Sequence, residues 1–512
     1  MDWLIVLTKF KNFCQRSFKL KKLSTDKKIL LEYNEICESH ISYMYLSNCL
    51  KEEFKANIIG FLPSIPSNIL KIFYINLKKI FLSKYFSFYR NFGCINFIIP
   101  RIINKKLSKK IFSKIYRTLK SKKDIYKIKI FGINFGDLIY DGYLKCYDLP
   151  TIDIHAESFK KYLIYFINYV IFWDNFLKNN KVVALISSNT VYLHGVPLRM
   201  CVFKKNIRVY TTCNFFTYRH SKKKLSVFEM ENYKTEFSKL SEDKKSKGIV
   251  QAKKILDNKF SGKNTIENRM SLMPPKSSVE AKKSTRRFLS KNNIDKVLIA
   301  AHAFSDAPNV FGRTFFNDFY DWINYLGKLS NKLIDREWYI KFHPVEQHVS
   351  LKHIDYFLKT YKNLNFIDKA ATHPQLISEG ISLVLTVYGS VGYEFAYLGI
   401  PLINASKYNP HISYNFNYHP KNLKDYEWAI KNFKKLNLNY DKKNLYEYFF
   451  MRYCNSFYLY HNELKRKDKA RHNCEAYEKW MNYCGKDRNI QLMKEMKKFI
   501  LSDKFKFTKN SI

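Results

Sequence analysis

The segment LVLTVYGSVGYE, residues 383–394, joins a short apolar run to a Gly-Ser pair and then to a helical pattern. A buried strand that ends in a glycine turn and leads into a helix is typical of a parallel α/β unit. Backbone N–H groups at the start of a helix, with a serine hydroxyl beside them, attract anions. We therefore predict that Gly389 and Ser390 contact a phosphate group.

Glu394 lies four residues beyond Ser390, so the two residues share one face of the predicted helix. A carboxylate next to a phosphate would repel it, whereas one that reaches past the phosphate accepts hydrogen bonds from ribose hydroxyls. We therefore predict that Glu394 assists the binding of a nucleotide. The alternative is that Ser390 caps the helix and Glu394 is an ordinary acid of the first turn.

Two other apolar runs of this region also end in polar residues. Residues 296–301 lead to His302 and Ser305, and residues 338–342 lead to the pair His343-Pro344. Ligands bind outside the carboxyl ends of parallel strands, so we expect these side chains to line one crevice together with the Gly-Ser pair. We predict that His302, Ser305, His343 and Pro344 contact the same ligand.

The pair His343-Pro344 has a physical rationale as a binding feature. Proline fixes the local backbone and holds the preceding imidazole in place, where it can donate a hydrogen bond to a phosphate or a pyrimidine. A strand-end histidine is often structural, and two further His-Pro pairs occur at His373 and His419. The combination with Gly389 and Ser390 is what favours the functional interpretation.

Three aspartates are candidates for acid–base work or for positioning an acceptor. Asp306 lies in the loop after residues 296–301, and Asp137 and Asp141 share one face of a predicted helix. Transfer to a hydroxyl needs a carboxylate or a histidine nearby as general base. An Asx-turn explains Asp306 equally well, and acids near helix N-termini are common without function.

The earlier part of the chain carries a second set of strand patterns. Residues 128–131, 182–186 and 208–211 are apolar and β-branched, and a helical pattern covers residues 192–203. This βαβ signature predicts a second Rossmann-like unit. We predict five regions: a helical, aromatic- and Lys-rich region 1–120, a Rossmann-like acceptor domain 121–215, a charged helical connection 216–294, a Rossmann-like donor domain 295–425, and C-terminal helices 426–512.

The formal net charge of +45 has two explanations. Clustered Lys and Arg attract nucleic acid or an anionic membrane surface. Here the lysines are spread along the chain among Asn, Ile, Phe and Tyr, a composition that AT-rich codons also produce. We predict no nucleic-acid partner, while a basic surface favours phosphorylated donors and anionic lipid headgroups.

Several catalytic motifs are missing from the sequence, which excludes some classes of enzyme. The sequence has no P-loop, H-E-x-x-H, G-x-S-x-G or G-x-G-x-x-G pattern, which argues against kinase, zinc protease, α/β-hydrolase and dinucleotide dehydrogenase functions. A D-x-D type metal motif is not evident either, so we expect metal-independent chemistry. The irregular spacing of one Cys and His cluster fits no zinc pattern, and we interpret it as structural: Cys454, His461, His472, Cys474 and Cys484.

The sequence also suggests where the protein resides. Ten scattered cysteines without a C-x-x-C pair suit a reducing compartment. The first residues lack the cleavage site of a signal peptide, and the apolar stretch 162–176 is shorter than the ~20 residues that span a bilayer. We expect a cytoplasmic protein with at most a peripheral association at the inner face of the membrane.

Together these segments resemble a known group of enzymes. Residues 341–344, 383–399 and 400–404, and also 136–144 and 305–308, are similar to bacterial capsule and surface-polysaccharide glycosyltransferases related to the Kdo and sialic acid transferases. The resemblance implies an α/β, GT-B-like fold in which two Rossmann-like domains face a central cleft, with additional N- and C-terminal helices. It implies a nucleotide-sugar donor, with a CMP-sugar favoured, a polysaccharide or lipid-linked glycan acceptor, and no further cofactor.

The resemblance also implies roles for individual residues. His343, Pro344, Gly389 and Ser390 would hold the nucleotide, with help from Glu394. The catalytic base of such enzymes comes from the N-terminal domain, which would make it Asp141 or Asp137. Two alternatives stay open: a polymerase of the teichoic acid type that transfers glycerol phosphate from CDP-glycerol, and a non-catalytic partner in capsule assembly.

Overall fold

The computed structural model of the protein describes residues 3–67, 69–80, 84–204, 206–213, 216–226, 232–261, 286–343, 348–368, 370–455 and 475–507. The protein consists of two units. The first unit comprises Met1–Ile139, Ile154–Val227 and Ser456–Ile512, and the second comprises Tyr140–Asp153 and Phe228–Asn455. Neither unit is therefore a single continuous stretch of sequence.

The first unit is built on a six-stranded sheet and a short hairpin. Its strands are β1 (Lys28–Glu32), β2 (Asn57–Phe61), β3 (Cys94–Ile98), β4 (Lys129–Ile130), β5 (Ile133–Asn134), β6 (Val182–Ser187), β7 (Arg208–Cys213) and β8 (Phe216–His220). The sheet has the order β3-β2-β1-β6-β7-β8, and only the β7–β8 pair is antiparallel. The strands β4 and β5 pair with each other outside this sheet.

The inner strands β1, β2 and β6 are short apolar runs, as expected where helices cover both faces of a parallel sheet. Ile29, Leu30 and Leu31 of β1, for example, are fully buried. The helices of this unit are Trp3–Ser17, Cys37–Phe54, Ile69–Ile80, Lys84–Asn91, Lys105–Tyr116, Glu157–Asn179, Gly195–Val202 and Glu475–Leu501. The helix Gly136–Tyr147 starts here, and its residues from Tyr140 onward belong to the second unit.

The second unit is built on a five-stranded, fully parallel sheet. Its strands are β9 (Lys296–Ala300), β10 (Glu337–Lys341), β11 (Leu364–Phe366), β12 (Ile381–Thr386) and β13 (Leu402–Asn404), in the order β11-β10-β9-β12-β13. Its helices are Tyr233–Ser238, Glu242–Phe260, Phe319–Ser330, His348–Thr360, His373–Ser378, Val391–Tyr397, Leu423–Lys431 and Lys442–Phe449.

The two sheets share one topology. In each, the two strands that follow the first strand are added outward on one side of it, and the next strand of the sheet is added on its other side. The point where the strand order reverses lies between β1 and β6 in the first sheet and between β9 and β12 in the second. In doubly wound folds such a switch point opens a crevice beyond the carboxyl ends of the two strands.

The predicted α/β fold class, with two Rossmann-like units and additional helices, is confirmed. The boundaries differ from the predicted ones, because β1, β2 and β3 all lie within residues 1–120. The strands β1 and β2 have five residues each and are buried on both faces, so they show no polar alternation from which a strand could be predicted. The pattern at residues 128–131 forms the β4–β5 hairpin instead of a sheet strand.

The predicted connection and tail also belong to the units themselves. The helix Glu242–Phe260 packs within the second unit, as does the helix Lys442–Phe449, whereas the helix Glu475–Leu501 belongs to the first. The predicted breaker at residues 273–276 lies outside the described residues. Within the described ranges, no helix has both the length and the apolar character that crossing a bilayer requires.

Candidate functional site

The candidate ligand residues of the second unit lie at the switch point of its sheet. His302 follows β9 by two residues, and Gly389 and Ser390 follow β12 by three and four residues. The parallel pairing of Ile299 with Leu385 brings the carboxyl ends of β9 and β12 to the same edge. His302, Gly389 and Ser390 therefore lie near one another at this edge of the sheet, as their positions after the strands predicted.

His302 is held by the loop that carries the Gly-Ser pair. Its Nε2 atom accepts a hydrogen bond from the backbone N–H of Tyr388 at 3.3 Å, and its ring stacks on Phe319 with 4.6 Å between ring centroids. Burial, aided by the nearby charge of His343, lowers the pKa of His302 to about 3. The ring is therefore neutral near pH 7, and since Nε2 is an acceptor, the proton lies on Nδ1.

Gly389 is required by its backbone conformation. Its φ of +118° is one that L-amino acids with a side chain rarely adopt. A Cβ atom at this position would lie 3.5 Å from Cε1 of His302, so the chain passes close to the imidazole. Ser390 follows with helical dihedral angles of −65° and −28° and caps no backbone N–H, and the helix after it, Val391–Tyr397, has seven residues.

The three His-Pro pairs differ in exposure. His343 follows β10 and is exposed, at the same edge of the sheet as His302; Pro344 lies outside the described residues. His373 is buried, and Nε2 of His419 is 2.9 Å from the carbonyl oxygen of Tyr414. Of the three histidines, His343 has the most exposed side chain.

Glu394 occupies a different place from the predicted one. It is 3% exposed, and its Oε1 atom accepts a hydrogen bond from Nζ of Lys259 at 2.8 Å, while Oε2 lies 3.3 Å from Nδ1 of His373. Burial acts to raise the pKa of Glu394, but Lys259 and His373 outweigh it and hold the pKa well below its usual range. Both carboxylate oxygens are thus engaged inside the core, which replaces the expected contact with a ribose.

Asp306 and Ser305 lie in the turn that follows β9. Asp306 is exposed, its Oδ1 atom accepts a hydrogen bond from the N–H of Ala307 at 2.9 Å, and its own N–H donates to the carbonyl of Ala303 at 3.1 Å. These contacts match the alternative of a local turn. Its charge acts to raise the pKa of His302, so Asp306 lies near the predicted site.

The two aspartates predicted as bases have structural partners. Arg199 donates two hydrogen bonds to Asp137, at 2.7 and 2.5 Å. Asp141 is buried and accepts a hydrogen bond from Nδ2 of Asn309 at 2.6 Å. Asp141 belongs to the second unit, although its sequence position suggested the acceptor domain. The hydroxyls of Tyr140 and Thr151, which both donate to Asp318, fix this segment there.

A second polar group lies at the switch point of the first sheet, and the sequence analysis missed it. Glu32 is the last residue of β1, Ser187 is the last residue of β6, and Ser188 follows. Ser187 donates a hydrogen bond to Oε2 of Glu32 at 2.6 Å, and Ser188 also donates to Glu32. Nδ1 of His194 lies 3.0 Å from Oε2 of Glu32.

Glu32 and His194 shift each other's pKa. Burial acts to raise the pKa of Glu32, but His194 and the two serine hydroxyls outweigh it, so the pKa lies below its ordinary value. Burial acts to lower the pKa of His194, but the charge of Glu32 outweighs that effect and raises the pKa. The one feature of the sequence that could have indicated this polar group was the acidic residue Glu32 at the end of an apolar run, residues 29–32.

Of the Cys and His cluster that we interpreted as structural, the structure describes two residues. Cys454 is in the second unit and Cys484 is in the first, and both are buried, while His461, His472 and Cys474 lie outside the described residues. In the part of the chain that the structure describes, no group of three or more His, Cys, Asp or Glu side chains is placed to hold a metal ion.

Comparison with known proteins gives only distant similarity. The sequence matches no family model and no curated protein. Among solved structures, a UDP-GlcNAc 2-epimerase from Neisseria meningitidis, bound to UDP-GlcNAc, is 10% identical over 82% of this chain and 97% of its own, with a TM-score of 0.25. A glycosyltransferase from Rickettsia africae is 10% identical over 93% and 99%, with a TM-score of 0.25.

A third similar structure is the wall teichoic acid polymerase TagF. It is 11% identical and covers 98% of this chain and 95% of its own, with a TM-score of 0.21. At such identities and TM-scores, the likeness supports no statement about what this chain binds or does.

Proposed function

We propose that this protein is a glycosyltransferase that moves a sugar from a nucleotide-activated donor, with a CMP-sugar favoured, to a polysaccharide or lipid-linked glycan acceptor. The observation that carries the proposal is the placement of His302, His343 and the Gly389-Ser390 pair beyond the carboxyl ends of the central strands of the second sheet. Ligands of doubly wound folds bind at this position.

The chemistry of these side chains suits a phosphate-containing leaving group. A phosphate offers only acceptor oxygens near neutral pH, so it needs donors around it. His302 carries its proton on Nδ1, and the backbone at Gly389 approaches the ring without a side chain in between. His343 is exposed and can add a second imidazole. In this proposal Glu394 supports the helix behind the site and does not touch the nucleotide.

A thermal-shift assay with CMP, CDP, UDP and CDP-glycerol tests the donor class. A nucleotide at 100 times its Kd stabilises the fold by about 2.7 kcal/mol, so an upward shift of Tm with CMP is expected. His343→Ala and Ser390→Ala should each reduce this shift without lowering the Tm of the free protein. His155→Ala, which removes an exposed histidine of the first unit, is the matched control and should leave the shift intact.

Each other outcome points away from the proposal. A shift with CDP-glycerol but not with CMP or UDP would favour a glycerophosphotransferase of the teichoic acid type. No shift with any nucleotide would favour a non-catalytic partner in an assembly complex. Equal shifts in the two site variants and in the wild type would mean that the nucleotide binds elsewhere.

We also propose that the protein reaches lipid-linked acceptors at an anionic membrane surface through the helix Ile69–Ile80. Leu70, Phe73 and Tyr74 of this helix are 77%, 61% and 56% exposed, and they share one helix face by their spacing. A helix with an exposed apolar face on a strongly basic chain suits the boundary between lipid headgroups and acyl chains.

A further inference from the structure

A pocket of about 510 Å³ lies in the first unit, where it is lined by the helix Lys105–Tyr116, the 3₁₀-helix Lys122–Lys127 and the β4–β5 hairpin. Ligand pockets of proteins have volumes of roughly 300–1,000 Å³ and are lined mainly by apolar side chains. The apolar lining of this pocket consists of four isoleucines and one aromatic ring: Ile111, Ile115, Ile128, Ile130 and Phe131. The pocket is therefore large enough and apolar enough to hold a small ligand.

The charged side chains around the pocket are mostly cations. Three lysines and one aspartate leave the lining with an excess of two positive charges. Nζ of Lys127 lies 2.9 Å from Oδ1 of Asp124, and Asp124 also accepts a hydrogen bond from the N–H of Ser121 at 3.0 Å, in the cap of the 3₁₀-helix. Lys114 and Lys129 are exposed, and among the residues that the structure describes neither forms an ion pair. Two uncompensated cations thus border an apolar surface.

The turn of the β4–β5 hairpin places an aromatic ring at this pocket against the preference of its backbone. Its two central residues, Phe131 and Gly132, have φ angles of +51° and +79°. Such turns favour Asn-Gly, because the left-handed region is strained for a residue with a bulky side chain. The side chain of Phe131 is nevertheless 45% exposed, so burial in the core does not offset the strain.

The neighbours of Phe131 do not explain the strain either. Nζ of Lys178 lies 5.8 Å from the centroid of its ring, and a cation–π contact at an exposed position is weak. Backbone strain persists where the surrounding structure over-determines a conformation, and it concentrates at binding and active sites. The exposed ring at the pocket is therefore an observation, independent of the lysines, that points to a ligand.

We propose that this pocket binds a lipid phosphate with a single hydrocarbon chain. The chain packs on the isoleucines and on Phe131, because burial of apolar surface is favourable. The phosphate lies at Lys114 and Lys129, since lysine binds phosphate as a compact point charge. A pocket of this volume suits a drug-sized ligand, which favours one chain over the two chains of a bilayer phospholipid. The inference goes beyond the proposed transfer reaction and does not depend on it.

Isothermal titration calorimetry of the full-length protein with octyl phosphate, octanol and inorganic phosphate tests this inference. Octyl phosphate carries both the chain and the charged group, whereas each of the other two compounds carries one of them. We expect octyl phosphate to bind at least about tenfold more tightly than octanol or inorganic phosphate, because it alone gains both kinds of contact. A matching affinity of octanol or of inorganic phosphate would overturn the inference.

Phe131→Asn separates binding from stability. Asparagine tolerates a positive φ and forms the favoured Asn-Gly turn, so the Tm of the free protein should stay the same or rise. The affinity for octyl phosphate should fall about tenfold, because the apolar surface of the ring is lost. A purely structural role of Phe131 would give the opposite result, with a lower Tm and an unchanged affinity.

Lys129→Ser tests the charge at the pocket. It should weaken the binding of octyl phosphate about tenfold through the loss of one charge-assisted contact. The matched control is Lys123→Ser, which changes an exposed lysine of the same segment outside the lining and should leave the affinity unchanged. Equal losses in the two variants would mean that only the overall positive charge attracts the phosphate, which would contradict a built site.

A competition experiment identifies the source of the ligand. Phosphatidic acid vesicles should not displace bound octyl phosphate, because their phosphate is attached to two chains that are held in a bilayer. Displacement by these vesicles would overturn the assignment to a single-chain lipid. These experiments contain no nucleotide, so their outcome leaves the test of the proposed transferase function unaffected.

Discussion

At Glu394, a carboxylate, an ammonium group and an imidazole are enclosed together in the core of the second unit. Lys259 and Glu394 are 2% and 3% exposed, and Lys259 also donates a hydrogen bond to the hydroxyl of Tyr393 at 2.9 Å. Removing one partner of such a pair leaves an uncompensated buried charge, which is strongly destabilising. The pair therefore fixes the helix that follows Ser390 against the helix Glu242–Phe260.

Lys259→Met should destabilise the second unit by about 3–5 kcal/mol, because Glu394 then stays buried without its cation. The measurement is the free energy of unfolding from urea titration, followed by a probe of the second unit. Lys253→Met changes an exposed lysine of the same helix and should cost almost nothing. Equal stability of the two variants would mean that the buried pair contributes little.

At the scale of secondary-structure elements, the helix Ile69–Ile80 is the one with the most exposed apolar face among those discussed. Phe73→Ser should weaken binding to phosphatidylglycerol vesicles, because burial of such a side chain contributes about 1.5–3 kcal/mol. Co-sedimentation with these vesicles measures the effect. Ile334→Ser removes a 79% exposed apolar side chain from the second unit and should leave vesicle binding unchanged.

Two results of that experiment would contradict the membrane proposal. The first is wild-type protein that stays in the supernatant with anionic vesicles at low salt. The second is equal binding to neutral phosphatidylcholine vesicles, since the basic charge of the chain should favour anionic headgroups.

At the scale of the whole molecule, several buried or half-buried histidines govern the response to acid. Burial lowers the pKa of His40, His220 and His419 to about 4 and that of His302 to about 3. The unfolded pKa of a histidine is about 6.5. At pH values between this pKa and the folded pKa, the unfolded chain binds protons that the folded chain does not bind. Stability is therefore lost as the pH falls through this window.

Each such histidine reduces the free energy of unfolding by up to about 1.4 kcal/mol per pH unit within the window. His194 acts in the opposite direction, because its raised pKa gives stability at low pH that is lost as the pH rises, but it is a single group. We expect a marked fall in Tm between pH 7 and pH 5, measured by calorimetry. A Tm that stays constant or rises over this range would contradict the neutral state of these rings.

The sequence by itself determined the strands β9, β10 and β12 of the second sheet and the residues that follow them. Gly389 and Ser390 come directly after an apolar run, and His302 and His343 come after two others, so local pattern alone placed them at one edge of a parallel sheet. Local pattern works here because a residue next to the carboxyl end of a strand must lie at that edge, whatever the rest of the chain does.

Only the tertiary structure decided the roles of Glu394, Asp141 and Glu32. Glu394 turned inward because Lys259, 135 positions away in the chain, is buried beside it. Glu32 meets Ser187 across 155 positions through the pairing of β1 with β6. The role of a carboxylate, as a base, a structural ion-pair partner or a ligand contact, depends on the charges and hydrogen-bond donors around it. Those groups come from distant segments of the chain, which approach each other only when the sheets are assembled.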